Sequence, residues 1–226
     1  MIAPKKPAAR SGKAAAKSAP KKTPSHPDKR PHEVRIIGGE WKRTRLAVAD
    51  KPGLRPTPDR VRETLFNWLA SLAGAGGGSL PAWQVVDAFA GTGALGFEAA
   101  SRGATSVLLC EQDPALVEQL QKVKTKLKAD AVRVERGNGV TAQERAPAGS
   151  LQAVFLDPPF ENEALYVPSL RAAARAVNDE NGAVYLEAPR TWTDDELAPL
   201  GLHVYRHLKA GAVHAHLLRK GMAPTA

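Results

Sequence analysis

Cysteine is almost absent from this chain: Cys110 is the single one among 226 residues, so no disulfide can form within it. A lone thiol inside the apolar run 107–110 is typical of a buried side chain in a protein of a reducing compartment. Also missing are an apolar run of the ~20 residues that a membrane helix requires and the hydrophobic segment of an N-terminal secretory signal. We therefore expect a cytoplasmic protein with no membrane partner.

Acidic residues are scarce near the N-terminus. Residues 1–32 contain nine lysines and arginines against Asp28 alone, a net charge of +8, and residues 33–62 add +4. The rest of the chain carries −3, so the total of +9 arises at one end, where a polyanion would bind. Residues 1–33 have almost no apolar bulk and are predicted to form a disordered basic tail. This tail is either an electrostatic tether to nucleic acid or a solubilising extension.

Residues 34–80 are predicted to form a small N-terminal extension made of a β-hairpin and a helix. Val34–Ile37 and Trp41–Val48 have the pattern of two strands. Gly38 and Gly39 lie between them and allow a turn. Because the hairpin is rich in lysine and arginine, this extension is the part of the folded chain that we expect to contact nucleic acid.

A helix is predicted to complete the extension, with Thr57 as its N-cap and Pro58 at its first helical position. Its apolar face, which should pack on the main domain, consists of Val61, Leu65, Trp68 and Leu69. Arg62 and Glu63 should face away from that domain.

From residue 84 onward, apolar runs alternate with segments of helical periodicity. The predicted strands are Gln84–Phe89, Ser106–Glu111, Ala131–Glu135, Leu151–Leu156, Ala183–Glu187, Leu202–Leu208 and Val213–Leu218. The clearest helices are Ala94–Arg102, Pro114–Lys128 and Glu163–Val177. Near-continuous apolar strands separated by amphipathic helices predict an α/β fold with a seven-stranded, mostly parallel sheet covered on both faces. Only Lys209–Ala212 joins the last two strands, so the sheet should end in an antiparallel hairpin.

A glycine-rich turn follows the first of these strands. Asp87 and Phe89 lie at the end of the strand, and Gly91, Gly93 and Gly96 follow at the spacing GxGxxG. Glycines allow a sharp turn and the close approach of a ligand, and the N-terminus of the next helix offers unpaired N–H groups. This motif alone fits a dinucleotide site, a nucleoside-type cofactor site, or a tight turn that binds nothing.

Polar residues at the ends of the next two strands extend this pattern. Glu111 lies twenty residues after Gly91, where a carboxylate can accept hydrogen bonds from ribose hydroxyls, and Gln112 follows it. Asn138 follows the third strand, and its amide can bind the edge of an adenine. Because ligands of open parallel sheets bind at the carboxyl ends of the strands, these residues predict a nucleoside pocket for a dinucleotide or for S-adenosylmethionine (SAM). No Walker lysine follows the glycines, which disfavours nucleotide hydrolysis.

The fourth strand runs directly into Asp157-Pro158-Pro159-Phe160. The two prolines fix the backbone and lack N–H donors, which leaves carbonyl oxygens as acceptors. The exocyclic amine of a base can donate to Asp157 and to the Pro158 carbonyl while Phe160 stacks on the ring. These contacts would align the nitrogen lone pair with an electrophilic methyl group, so they predict catalysis by positioning and electrostatics. Glu187, at the end of the fifth strand, is a further candidate for the border of this acceptor pocket.

Several of these segments together resemble the RsmD family of bacterial 16S ribosomal RNA guanine-N2 methyltransferases. The resemblance is carried by Arg35–Gly39, Leu54–Thr57, Asp59–Asn67, Asp87–Gly96 and Asp157–Phe160. It implies a Rossmann-like class I SAM-dependent methyltransferase domain at 81–221. It also implies SAM as methyl donor and, as acceptor, a guanine of 16S ribosomal RNA in the small ribosomal subunit or its assembly intermediate. We expect the protein to be a monomer.

The resemblance also implies roles for individual residues. The set that would bind SAM is Asp87, Phe89, Gly91, Gly93, Gly96, Glu111, Gln112 and Asn138. The set that would orient the guanine is Asp157, Pro158, Pro159 and Phe160. The clustered cations expected to contact RNA phosphates are Arg35, Lys42, Arg43, Arg45, Arg55 and Arg60. No metal is expected, since His214 and His216 share a strand face without a second ligand pair nearby in sequence.

Three other functions stay open on the sequence. A DNA-adenine or protein-glutamine amino methyltransferase would share the pocket and the proline pair, although those groups commonly have Asn rather than Asp before the prolines. A nicotinamide-dependent oxidoreductase would share the glycines and Glu111 but leaves Asp157–Phe160 unexplained. A non-catalytic RNA-binding factor with a SAM-like fold would be expected to have lost Asp157 or the glycines, and both are present.

Overall fold

The structure is a computed structural model that describes residues 1–3, 33–49 and 57–221. It divides the chain into a unit at Met1–Arg30 and a unit at Pro31–Ala226, and the elements below belong to the second unit. The predicted basic tail at 1–33 lies almost wholly outside the described residues, as do Arg55 and its neighbours at 50–56. Among the described residues, no helix combines the length and the apolar character needed to cross a membrane.

Nine strands and six α-helices lie in the described part of the chain. The strands are β1 (Glu33–Arg35), β2 (Arg45–Ala47), β3 (Gln84–Asp87), β4 (Ser106–Glu111), β5 (Val132–Arg136), β6 (Ala153–Leu156), β7 (Ala183–Ala188), β8 (Leu202–Ala210) and β9 (Val213–Lys220). The helices are α1 (Asp59–Ala73), α2 (Ala94–Ser101), α3 (Pro114–Leu127), α4 (Gly139–Glu144), α5 (Tyr166–Ala176) and α6 (Asp194–Leu197).

Seven strands form one sheet in the order β5-β4-β3-β6-β7-β9-β8. β3 to β7 are parallel to one another, whereas β9 runs antiparallel to β7 and to β8. The chain builds β4 and β5 on one side of β3 and then returns to the other side with β6 and β7. This confirms the predicted α/β fold with a mostly parallel sheet and a terminal antiparallel hairpin. The hairpin turn is shorter than predicted, because β8 continues to Ala210 and only Gly211 and Ala212 precede β9.

Both faces of the sheet are buried, which explains why its strands are apolar at successive positions. On one face, α1, α2 and α3 pack over Phe155 and Tyr185. The ring of Phe66, on α1, stands edge-on to that of Phe155 at a centroid distance of 6.0 Å. On the other face, α5 and α6 cover Val154 and Leu156. The predicted packing of α1 on the main sheet therefore occurs through the same core as the helices between the strands.

The predicted N-terminal hairpin is present, since β1 and β2 pair in antiparallel register, but its connection differs from the prediction. Residues 36–44 link the strands, so Gly38 and Gly39 do not form a tight two-residue turn. Gly39 has a φ of +75°, and a Cβ on it would lie 1.8 Å from the carbonyl oxygen of Ser101. The glycine is needed because the backbone of this connection lies directly on the C-terminal end of α2.

A buried glutamate on α2 anchors the same connection. Glu98 is fully buried, and its carboxylate accepts hydrogen bonds from the backbone N–H groups of Ile37 and Gly38 at 2.7 and 2.8 Å. Arg102 Nε donates to this carboxylate at 2.8 Å, and Arg62 Nη1 lies 3.8 Å from it. Because a buried carboxylate requires such partners, these contacts bind the N-terminal segment to α2.

The prediction that Arg62 faces away from the core is wrong, because its side chain is fully buried. Its Nη2 donates to the carbonyl of Arg35 at 2.8 Å and to the carboxylate of Asp59 at 2.6 Å. Its Nε donates to the carbonyl of Thr57 at 3.2 Å. Thr57 is also not the N-cap, since Pro58 occupies that position and no side chain caps the helix. Helical periodicity does not reveal that this charged side chain lies on the buried face, because part of its hydrogen bonding comes from β1, which is distant in the sequence.

Gly39→Ala should lower the free energy of unfolding by at least ~3 kcal/mol, because the new methyl group both strains the backbone and collides with α2. Gly74→Ala is the matched control: its φ is +61°, but nothing lies within 4 Å of the added Cβ, so the cost should be ~1 kcal/mol. Urea denaturation measures both. Equal losses in the two variants would show that the connection does not press on α2.

Candidate active site

Four acidic residues lie at the carboxyl ends of neighbouring strands. Asp87 ends β3, Glu111 ends β4, Asp157 directly follows β6, and Glu187 is the penultimate residue of β7. Because β6 pairs with β3 on one side and with β7 on the other, these acids lie along one edge of the sheet. That edge includes the point where the strand order reverses, which is where open parallel sheets bind ligands.

Glu111 is oriented by three backbone N–H groups. Its Oε2 accepts a hydrogen bond from Gly91 at 2.9 Å, and its Oε1 accepts from Gln112 and Asp113 at 2.8 and 2.9 Å. A carboxylate has about four lone-pair positions. One ligand hydroxyl can therefore bind Glu111 without disturbing these contacts, whereas a second would displace one of them. The side chain of Gln112 is exposed beside it.

The three motif glycines have different structural roles. Gly91 and Gly93 have φ values of +50° and +75° and form the turn between β3 and α2. Gly96 lies within α2, where a Cβ would come 2.0 Å from Leu109 Cδ2. Its backbone N–H donates to Asp87 Oδ2 at 3.0 Å. Gly96 therefore lets the helix pack closely on β4 and at the same time orients Asp87.

Asp87 is a buried acid whose ionisation is suppressed. Its pKa is raised to about 7: burial is the largest cause, the charges of Glu111 and Glu187 act in the same direction, and hydrogen bonds from the Gly96 and Phe89 backbones oppose the rise. Burial dominates because the side chain retains only 2% exposure. The Asp87 carboxyl therefore lies in an environment where a bound cation would favour its ionised form.

The segment 157–160 leaves β6 as an open turn. Pro158 is buried, whereas Asp157 and Phe160 keep partial exposure and Pro159 is exposed. The Pro159 carbonyl accepts a hydrogen bond from the N–H of Asn162 at 2.9 Å. In the part of the chain that the structure describes, no group donates to the Pro158 carbonyl or to the Asp157 carboxyl. These two acceptors are available to a ligand.

Glu187 is held by two hydroxyl groups. Thr57 Oγ1 donates to its Oε1 at 2.6 Å, and the Tyr185 hydroxyl donates to the same oxygen at 2.9 Å. Burial raises the pKa of Glu187, and the two hydrogen bonds lower it. Thr57 and Tyr185 were not among the predicted site residues. Tyr185 could have been found, because strand alternation places it on the same face as Glu187; Thr57 had no such signal.

Asn138 caps α4, a helix of six residues that the apolar pattern did not predict. Its Oδ1 accepts hydrogen bonds from Val140 and Thr141 at 2.8 and 3.3 Å, so only the amide N–H groups remain for a ligand. A Cβ on Gly139 would lie 2.0 Å from the carbonyl oxygen of Ala88. This close contact holds the loop that carries Asn138 against the end of β3.

The acids of the site act on one another without a balancing cation. Poor hydration raises the pKa of Asp157 well above its ordinary range, and the charges of Glu187 and then Asp87 raise it further. For Asp87, Asp157 and Glu187, no described lysine, arginine or histidine contributes to the shift. A positively charged ligand would relieve this repulsion, so these acidic side chains fit a cationic ligand better than an anionic one.

The five described members of the set of cations predicted to contact phosphates are exposed, but two of them already have acidic partners. Arg35 Nη2 lies 3.1 Å from Asp59 Oδ2, and Arg45 Nη1 lies 2.8 Å from Glu33 Oε2. Exposed ion pairs of this kind contribute little to stability, so a phosphate can replace either acid. The remaining described members of the set are exposed: Lys42, Arg43 and Arg60.

Comparison with known proteins assigns the chain to a family. The family described as Conserved hypothetical protein 95 matches residues 34–219. The ribosomal RNA small subunit methyltransferase D of Escherichia coli is 48% identical over 130 residues, which cover 57% of this chain and 61% of that protein. The match thus spans less than two thirds of that relative. The Haemophilus influenzae protein of the same name is 36% identical over 186 residues, which cover 77% of this chain and 92% of that protein.

A solved structure from Escherichia coli, described as a candidate methyltransferase, has the same fold. It superposes with a TM-score of 0.69 at 36% sequence identity and covers 85% of this chain and 100% of its own.

Asp87→Asn should stabilise the protein increasingly as the pH rises from about 4 to about 7. In the unfolded chain Asp87 ionises near its ordinary value of 3.8, whereas in the folded protein it does so at about 7. The folded state therefore binds more protons in this window, and wild-type stability falls by about 1.4 kcal/mol per pH unit from this group. The asparagine side chain still accepts the hydrogen bond from the Gly96 N–H, but it does not ionise and so does not cause this loss of stability.

Urea denaturation of Asp87→Asn and wild type across this pH range measures the effect. The exposed Asp130→Asn is the matched control, because its carboxyl is hydrated in both states and no widening difference is expected. A difference for Asp87→Asn that stays constant with pH would show that Asp87 ionises normally in the folded protein.

Proposed function

The chain belongs to the RsmD family, and from this we propose that it is a SAM-dependent methyltransferase that modifies the N2 amine of a guanine in 16S ribosomal RNA. The two relatives named as ribosomal RNA small subunit methyltransferases support the substrate class. The RNA would be bound within the small ribosomal subunit or its assembly intermediate, by a monomeric enzyme.

The observation that carries this proposal is the pair of free acceptors at the end of β6. A guanine N2 amine has two N–H donors, and the Asp157 carboxyl and the Pro158 carbonyl are two acceptors with no described donor. Phe160 lies two residues further on and keeps part of its ring exposed for stacking. Together these groups can hold a planar base by its amine edge.

SAM fits the acidic edge of the sheet because it carries positive charge on its amino group and on its sulfur. Asp87 would bind the amino group, Glu111 a ribose hydroxyl, and Gln112 and Asn138 would border the adenine, above the glycine turn. When bound, SAM supplies an electrophilic methyl group. Its methyl group would be the electrophile for the N2 lone pair, and the electron pair of the C–S bond would stay on sulfur.

Asp157 acts on the amine in two ways. As a carboxylate it accepts one N–H, which draws the nitrogen lone pair out of conjugation with the ring and aligns it for transfer. Its raised pKa also makes it a better acceptor for the proton that N2 loses once the bond has formed. The base must lie outside its stack to reach these groups, and the exposed cations of the N-terminal segment would hold the neighbouring phosphates.

The proposal is tested by incubating the protein with labelled SAM and either small-subunit particles or protein-free 16S RNA, followed by nucleoside mass spectrometry. We expect N2-methylguanosine. Asp157→Ala should keep its affinity for SAM and lose at least ~10²-fold in kcat, with the exposed Asp130→Ala as matched control. N6-methyladenosine as product, label only in protein, or near-normal turnover by Asp157→Ala would contradict the proposal.

Phosphate contacts of the N-terminal segment predict a salt dependence. Replacing Lys42 and Arg43 together with glutamine should weaken binding to 16S RNA and reduce the log–log salt slope by about 0.7 for each phosphate that the variant no longer neutralises. Filter binding between low and moderate salt measures this. The same change at the exposed Lys122 and Lys126 of α3 is the control. An equal effect of both double variants would mean that RNA binding follows net charge rather than this surface.

A further inference from the structure

One oxygen of Glu187 is fully engaged and the other is free. Thr57 and Tyr185 both donate to Oε1, and no described residue donates to Oε2. The side chain is only 3% exposed, yet Oε2 is not among the unbonded polar atoms that are sealed from solvent. This oxygen therefore reaches accessible space at the edge of the sheet.

The free oxygen belongs to a residue that neighbours Asp157. Leu156 of β6 is level with Leu186 of β7 in parallel register; Asp157 directly follows β6, and Glu187 is the next residue of β7. Adjacent strands lie about 4.8 Å apart. The effect of the Glu187 charge on the pKa of Asp157 agrees with this closeness. The parallel register thus places the two acidic residues next to each other at this edge of the sheet.

We propose that Glu187 selects guanine: its Oε2 accepts the N1–H of the base while Asp157 accepts an N–H of the N2 amine. This inference rests on the proposed function and adds the group that determines the base. Guanine presents the two donors next to each other on one edge. Adenine instead presents an N1 lone pair that would face the carboxylate. A site built for a donor rejects an analogue that lacks it, because the buried acceptor is left unpaired.

Thr57 and Tyr185 are positioning residues in this arrangement. Their hydrogen bonds oppose the rise in the Glu187 pKa that burial causes, and so favour the ionised form that can accept N1–H. Burial raises the pKa of Tyr185 well above its ordinary range, which keeps its hydroxyl a donor. Both hydroxyls fix the carboxyl in one orientation, with Oε2 directed away from them.

Glu187→Gln changes the chemistry of this one atom. The two hydroxyls donate to oxygen, so the amide oxygen takes the place of Oε1 and the amide N–H2 group takes the place of Oε2. A donor then replaces the acceptor. 2-Aminopurine keeps the N2 amine of guanine but has an unprotonated N1, so it should pair with the variant and not with wild type.

The test uses small-subunit particles reconstituted from 16S RNA that carries guanine or 2-aminopurine at the position mapped by mass spectrometry. Wild type should prefer guanine in kcat/KM by at least ~10²-fold, and Glu187→Gln should reduce this ratio by a similar factor or reverse it. The exposed Glu180→Gln is the matched control and should leave the ratio unchanged. The SAM affinity and the melting temperature of Glu187→Gln should not fall below those of wild type, which would exclude general damage to the protein.

An unchanged ratio in Glu187→Gln, or wild type that methylates 2-aminopurine as well as guanine, would overturn this inference and leave the proposed function standing. Failure of wild type to methylate guanine would remove the proposed function itself. If Glu187→Gln does not fold, Thr57→Val provides a second measurement, since it removes one donor and keeps the charge. It should reduce the guanine preference by ~10-fold, and an unaltered preference would overturn the inference.

Discussion

Confinement of several carboxyls to a poorly hydrated edge of the sheet is the constraint on which the rest of the molecule depends. The charges of Glu111 and Glu187 raise the pKa of Asp87, and those of Glu187 and Asp87 raise the pKa of Asp157, so hydrogen-bond donors to these carboxyls stabilise the edge. Asp87 receives a backbone N–H from α2, and Glu187 receives hydroxyls from β7 and from the segment before α1. These hydrogen bonds bring α2, β7 and the segment before α1 together at this edge. Ionising the acids lowers the stability of the free protein and prepares the edge for a cation.

The N-terminal segment is joined to the sheet by buried polar groups as well as by apolar packing. Glu98 binds the connection between β1 and β2, and Arg62 joins the start of α1 to β1. Thr57, immediately before α1, then reaches the candidate active site. The surface proposed to contact RNA is therefore linked to the acceptor pocket through a short series of hydrogen bonds.

The sheet and the acidic edge could be predicted from the sequence because both depend on local patterns. Apolar runs reveal strands buried on both faces, and Asp157–Phe160 has a spacing with chemical meaning. Long-range contacts left no such pattern: neither the burial of Arg62 nor the contact of Gly39 with α2 is visible in neighbouring residues. The short helices α4 and α6 are indicated in the sequence by their capping residues, Asn138 and the Thr193–Glu196 capping box. Both helices are too short for an apolar periodicity to be detected.

The hydrogen bond between Thr57 and Glu187 joins residues 130 positions apart in the chain. It crosses from the segment that precedes the main sheet to one of the sheet's central strands. Exchange of the N-terminal segment between relatives, by recombination or in an engineered chimera, would therefore replace half of the support of Glu187 along with the surface. A change of target base in this fold would need matched substitutions at both residues of that hydrogen bond, so the two segments would have to evolve together.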